Sequence, residues 1–224
     1  NKQFSIISTG IGPDNIAIVI NELDALVNIN LQTRKPKEKL TSLNIVRIGT
    51  SGSLQADIPV DSYIISSHAL DLNGMLHSYQ IEEIANPEIE NAFVKHTNWS
   101  AKKAAPILIG NHKELEHKLT SKDTFAGITA TAGGFYGPQG RVLRLNLQDD
   151  DLNQKIDSFS YNDQRITNLE METSAIYGLA KLLGHNACSI SAIMANRANG
   201  TFSKSPDKLM ANLISYTLEK LVKI

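Results

Sequence analysis

The chain has a single cysteine, a single tryptophan and no excess of either charge. Cys188 stands alone, which excludes an internal disulfide and a cysteine-rich metal site and suits a reducing cytoplasm. Lysine and arginine number 22 against 23 aspartate and glutamate, a formal charge of −1. The signs are interspersed, so no overall field favours nucleic acid or an anionic membrane, and any bound anion must be held by local groups. No run approaches the roughly 20 apolar residues of a membrane span. What the chain does have is 224 residues that are 42% apolar, enough for a sizeable core. Its opening, Asn1-Lys2-Gln3, leads straight into the apolar run Phe4–Ile7. That is neither a signal peptide nor an ordinary start, and it predicts further sequence upstream.

Period-2 and period-3.6 runs alternate along the chain, the pattern of an α/β protein. Phe4–Thr9 reads as a strand, followed by a turn at Gly10-Ile11-Gly12-Pro13 and a helix with Ile16, Val19, Ile20, Leu23 and Leu26/Val27 on one face. Arg34–Lys39 is a solvated loop. Further strands are predicted at Leu43–Ile48, Ser62–Ser67, Thr124–Thr131, Ile166–Met171 and Ala187–Ala195. A helix over Glu172–Leu183 is stopped by Gly184, and a last one begins at Ser205-Pro206. No internal repeat interrupts this, so residues 1–224 are read as one domain.

Several chemical signatures fail on inspection. Gly10-Ile11-Gly12-Pro13-Asp14-Asn15 sits where a dinucleotide fingerprint would, but Asn15 replaces its third glycine and no acid ends a strand about 20 residues later. Asp149, Asp151 and Asn153 open like a calcium loop, yet Gln154 and Ser160 occupy the glycine and glutamate positions. His112 and His117 are spaced wrongly for a metal pair on one helical face.

Three constellations survive. Arg47-Ile48-Gly49-Thr50-Ser51-Gly52 sets a cation in a strand before a glycine-rich end, either an anion cradle or an arginine paired to an acid. Phe135-Tyr136-Gly137-Pro138-Gln139-Gly140-Arg141 joins an aromatic, an amide and a guanidinium, able to read the edge of a planar heterocycle or to form an ordinary surface loop. Glu170-Met171-Glu172 at a strand–helix junction offers a carboxylate for vicinal sugar hydroxyls, or one acid capping the helix and one solvated.

In this order, with Ser8-Thr9-Gly10-Ile11-Gly12-Pro13 ahead of them and Ala195-Asn196-Arg197 behind, these stretches make the chain resemble the nucleoside phosphorylase family, on its uridine phosphorylase branch. The resemblance implies a three-layer α/β/α fold with a central mixed, partly barrel-like sheet. It implies that Arg47 and Thr50 bind phosphate and that Thr50, Met171 and Glu172 bind ribose. It further implies that Phe135, Gln139, Arg141 and Arg197 bind the base, with Gln139 and Arg141 stabilising the leaving pyrimidine as negative charge develops on it. Purine-specific relatives carry an acid where this chain has Ala195, so uridine is the expected nucleoside. Arg47 favours phosphate over water as nucleophile.

The expected reaction is the reversible conversion of uridine and phosphate to uracil and ribose 1-phosphate in pyrimidine salvage. The alternatives are a purine or broad-specificity phosphorylase and a non-catalytic nucleoside-binding relative. No cofactor or catalytic metal is expected, although the family admits a structural monovalent cation at the subunit interface. The implied assembly is a homodimer, commonly built into a hexamer. The chain departs from the family at Gly137-Pro138-Gln139-Gly140 and in long stretches at Arg34–Lys39 and Asp149–Asp163. The family's glycine-rich N-terminal loop, with its second phosphate-binding arginine and the residues donated across the dimer, has no counterpart in these residues.

Overall fold

Strand and helix alternate along the chain as the periodicity requires. The computed structural model describes residues 3–222. Helix α1 (Pro13–Asn28) opens on a proline, whose missing N–H costs nothing in the first turn, and it buries Ile16 and Ile20. Leu26 points outward from this helix, at the margin of the apolar stripe. The two-residue strands β1 (Ile29–Asn30) and β2 (Lys35–Pro36) pair across the exposed turn that follows. The main elements are then β3 (Asn44–Ser53), β4 (Tyr63–Asp71), α2 (Pro87–Thr97), β5 (Ile107–Gly110), α3 (Lys113–Leu119) and β6 (Thr124–Thr131). After them come α4 (Leu152–Asp157), β7 (Ser160–Tyr161), β8 (Gln164–Glu170), α5 (Thr173–Leu182), β9 (Asn186–Asn196), β10 (Thr201–Phe202) and α6 (Pro206–Val222).

The large sheet runs β10-β9-β3-β8-β6-β4-β5, and β4 also pairs with β9. That extra pairing, Tyr63 with Ala192 through Ile65 with Ile190, closes β9, β3, β8, β6 and β4 into a ring. The sheet is mixed: β3–β9, β4–β6 and β6–β8 are parallel, whereas β3–β8 and β4–β9 are antiparallel. Helices pack outside it in three groups: α1 with α5, α3 with α6, and α2 with α4. This is the mixed, partly barrel-like sheet between helices that the resemblance implies.

A polar chain runs between the barrel's strands. Ser66 Oγ, Thr129 Oγ1, Asn168 and Ser51 Oγ form a buried hydrogen-bonded chain, with links of 2.6, 2.8 and 3.0 Å. Many apolar strand residues instead pack against helices, as Ile65, Cys188 and Ile190 do with Leu115 and Leu119 of α3, while Ile58, Ile64 and Ile193 form a separate buried cluster.

One expected strand does not form. Residues 4–9 are irregular, and Ile6 is 86% exposed. A strand exists only where a neighbour supplies backbone donors and acceptors, and no strand of the described residues pairs with this segment. Its apolar run, Phe4–Ile7, is a local pattern without a partner.

Candidate active site

Arg47 lies midway along β3, and its guanidinium folds back over Gly49. A Cβ at Gly49 would stand 2.2 Å from Arg47 Nη1, so glycine leaves the space that the guanidinium fills. The register sets Arg47 beside Ser189 and Gly49 beside Ser191 on β9. Both hydroxyls accept from Nη1, at 3.4 and 3.0 Å. Nη2 faces two carboxylates, Glu172 Oε2 at 2.7 Å and Glu170 Oε2 at 3.1 Å.

The two acids differ in how they are held. Glu170 ends β8 and caps α5: its carboxylate accepts from the N–H groups of Glu172 and Thr173, each at 2.9 Å, and from Thr131 Oγ1 at 2.7 Å. A carboxylate there also meets the positive end of the helix dipole. Glu172 accepts from the Gly12 N–H at 2.8 Å and from Arg47. Gly12 can serve because its φ of 92° is one that glycine tolerates and side-chain-bearing residues rarely adopt. One acid thus caps the helix, and the second is paired instead of solvated. Met171, between them, is half-buried.

The loop after β6 brings the second group together. Gln139 is buried, and its Nε2 reaches the carbonyls of Ala132 and Glu170, both at 3.4 Å. Its Oε1 accepts from Arg141 Nη1 at 2.5 Å. The Arg141 guanidinium lies 3.8 Å over the ring of Phe135, itself exposed to solvent. Arg197 Nη1 donates to the Gln139 carbonyl at 3.1 Å. Burial, with Arg141 as the second cause, lowers Arg197 to about 10, which leaves it charged at neutral pH. Burial likewise lowers Arg141.

The departures from the family pattern have a local explanation. Gly137–Gln139 forms a single 3₁₀ turn closed by Gly140 at φ 69°. A Cβ on Gly140 would collide with Asn153, whose Nδ2 donates to the Gln139 carbonyl at 3.2 Å. The long stretch after Asp149 therefore supplies a brace for the loop. No sequence motif marks Asn153 as a brace or Ser189 and Ser191 as partners of Arg47. The serines did leave a trace, as two hydroxyls alternating within an otherwise apolar strand.

Arg47, Glu170, Glu172 and Gly12 form one group; Gln139, Arg141, Phe135 and Arg197 form the other. Gln139 joins them through the Glu170 carbonyl. Thr50 is exposed near the end of β3, and its side chain makes no hydrogen bond among the described residues. The register of β3 slips just beyond it, between Ser51 and Gly52, and a Cβ on Gly52 would lie 3.8 Å from Arg197 Nε. The end of β3 thereby passes from the Arg47 group to the base loop. A cavity of about 410 Å³ lies along Trp99, Pro138 and Leu147, on the flank of the base loop. It does not include the Arg47 group. No cluster of three or more His, Cys, Asp or Glu suited to a metal occurs among the described residues. None of their helices is long and apolar enough to cross a membrane.

The family model of the phosphorylase superfamily matches residues 1–223. The chain belongs to that superfamily. Within this phosphorylase superfamily, it is 28% identical to a uridine phosphorylase of Thermococcus kodakarensis, over 98% of this chain and 67% of that protein. It is 23% identical to a DeoD-type purine nucleoside phosphorylase of Listeria monocytogenes, over 99% of this chain and 77% of that protein. A solved nucleoside phosphorylase of Trypanosoma brucei, described as showing uridine phosphorylase activity, superposes with a TM-score of 0.84 at 25% identity. That match covers 97% of this chain and 79% of the other.

Proposed function

We propose that this phosphorylase converts uridine and inorganic phosphate reversibly to uracil and ribose 1-phosphate, a step of pyrimidine salvage. The observation that carries the reading is the linkage of two groups at one end of the barrel: Arg47 between two carboxylates, and the Gln139–Arg141 pair joined to it through Glu170. In this reading Arg47 and Thr50 take phosphate, Glu172 accepts from the ribosyl hydroxyls, and Met171 packs on the sugar. Phe135 lies against the base, whose polar edge meets Gln139 and Arg141, with Arg197 behind.

The chemistry follows from charge. As the ribosyl–base bond breaks, its electron pair stays with the pyrimidine and the sugar becomes cationic. Arg141, aimed at the leaving base, stabilises the transition state more than the ground state. Phosphate then forms the new bond at the anomeric carbon. No cofactor is needed for this exchange, and a monovalent cation at a subunit interface would be structural.

The reading includes a cytoplasmic location and a homodimer as the working unit, assembled into a hexamer. Supporting an interface, apolar side chains are exposed in two segments, with Ile11 73% and Leu143 81% accessible. The Listeria relative favours a second reading, a purine phosphorylase. Ala195 opposes it, because alanine cannot protonate a purine ring. Phosphate-dependent turnover of uridine, thymidine and inosine decides between them. Uridine is expected to turn over fastest; inosine in first place would establish the purine reading, and uridine binding without turnover would make the chain a non-catalytic relative.

A further inference from the structure

Glu170 is a buried carboxylate that the reaction as described does not use. Its side chain is 2% exposed, and its oxygens accept from Thr131 Oγ1, two backbone N–H groups and Arg47. Moving it would break all four contacts at once. Glu172 is held by two, Arg47 and Gly12, and the second comes from the junction between the irregular segment and α1.

Arg47 is therefore gripped from one side by a carboxylate that cannot leave and from the other by one that can. Glu172 occupies the Nη2 donor that an incoming phosphate would need, at 2.7 Å, the shorter of the two carboxylate contacts. Displacing Glu172 from Nη2 opens that donor to phosphate and frees an acceptor for hydroxyl donors. Ser189 and Ser191 hold Nη1 throughout.

We propose that Glu170 is a positioning residue, fixing the Arg47 guanidinium for phosphate, while Glu172 is an exchangeable partner that competes with phosphate for Arg47. The inference rests on the phosphorylase reading above, and it gives that site a sequence of events: phosphate displaces Glu172, and the released carboxylate receives the sugar.

The test uses the whole protein and inorganic phosphate alone, measured by calorimetry, alongside KM values for phosphate and uridine. Glu170→Gln is expected to weaken phosphate roughly tenfold to a hundredfold, the loss of one charge-assisted contact, with KM for uridine little changed. Glu172→Gln is expected to do the reverse: tighter phosphate in the absence of nucleoside, and a raised KM for uridine. Thr131→Val, which removes one donor to Glu170 and also the acceptor of the Ser174 N–H, is expected to weaken phosphate by a smaller factor and supplies the answer if Glu170→Gln does not fold. Unchanged phosphate binding in Glu170→Gln or, failing that variant, in Thr131→Val would overturn the positioning role. Unchanged or weaker phosphate binding in Glu172→Gln would overturn the competition. Failure of the phosphorylase reading is distinct, because it would show as wild-type protein without phosphate-dependent turnover.

Discussion

Arg47 and Glu172, 125 residues apart in sequence, meet at 2.7 Å inside one end of a closed barrel. The phosphate-binding and sugar-binding groups of the proposed reaction are thus each other's partner. Neither is a spectator that can be removed without consequence for the other. A buried pair of this kind adds little against a well-packed apolar alternative, but breaking it from one side strands a charge.

Arg47→Met is accordingly expected to cost about 3–5 kcal/mol of stability, the usual penalty for removing one member of a buried pair. Glu172 would retain only the Gly12 N–H, and Glu170 would lose one of its four donors. Adding Glu172→Gln to Arg47→Met should restore part of the loss, since a neutral amide is less costly to leave without a cation. Denaturant unfolding of both variants provides the measurement. A single variant as stable as the wild type would show that the pair is not coupled to folding.

Gly49→Ala isolates geometry from charge. The added Cβ would come within 2.2 Å of Arg47 Nη1 and 2.4 Å of Cζ. Those atoms are the far end of a flexible side chain, so the fold should survive while the guanidinium shifts away from Ser191 and the two acids. Phosphate KM is expected to rise about tenfold or more, the scale of one lost charged hydrogen bond, with only a small change in melting temperature. A normal phosphate KM would mean that Arg47 does not need its present position.

Arg141→Ala addresses the departing base. If Arg141 faces the charge that develops on the pyrimidine, kcat should fall by roughly two to three orders of magnitude, as for loss of one oxyanion donor. Arg141 is only half-buried and sits in a loop, so stability should change little. Near-normal turnover of uridine by this variant would remove the base-stabilising assignment.

How legible was all this in the chain itself? Thr124–Thr131 is a strand with the bounds its alternation implies, and Ala187–Ala195 misses one residue at either end. The failures have specific causes. Phe4–Thr9 carries a strand-like apolar run, but pairing is a non-local event and a local run cannot supply a neighbour. Ile107–Gly110 is too short for periodicity to classify, although it forms the sheet edge beside β4. Helix α2 carries its signals in the sequence: Asn86 caps it, Pro87 opens it, and Ile89, Phe93 and Thr97 repeat every four residues. In the site, the residue types were visible, but their partners were not. Glu170-Met171-Glu172 looks the same whether or not an arginine from β3 closes over it. The division of labour between its acids comes from the barrel, which puts Thr131 beside one and Gly12 beside the other.

Cys188 offers a prediction that is independent of the reaction. It is fully buried on β9, and burial, with the charge of Glu116 as the next cause, raises its thiol from 9.0 to about 12. The folded chain thus keeps a proton that the unfolded chain releases. Its contribution to stability is complete below pH 9 and is lost as the pH rises towards 12. Two measurements follow. At about pH 8 iodoacetamide should leave the native thiol unmodified, because neither thiolate nor access is available. Across the alkaline range, the wild type should lose stability more steeply than Cys188→Ala, which has no proton to release. Rapid stoichiometric alkylation under native conditions would place the thiol at the surface, and parallel stability curves for the two proteins would mean that burial does not shift it.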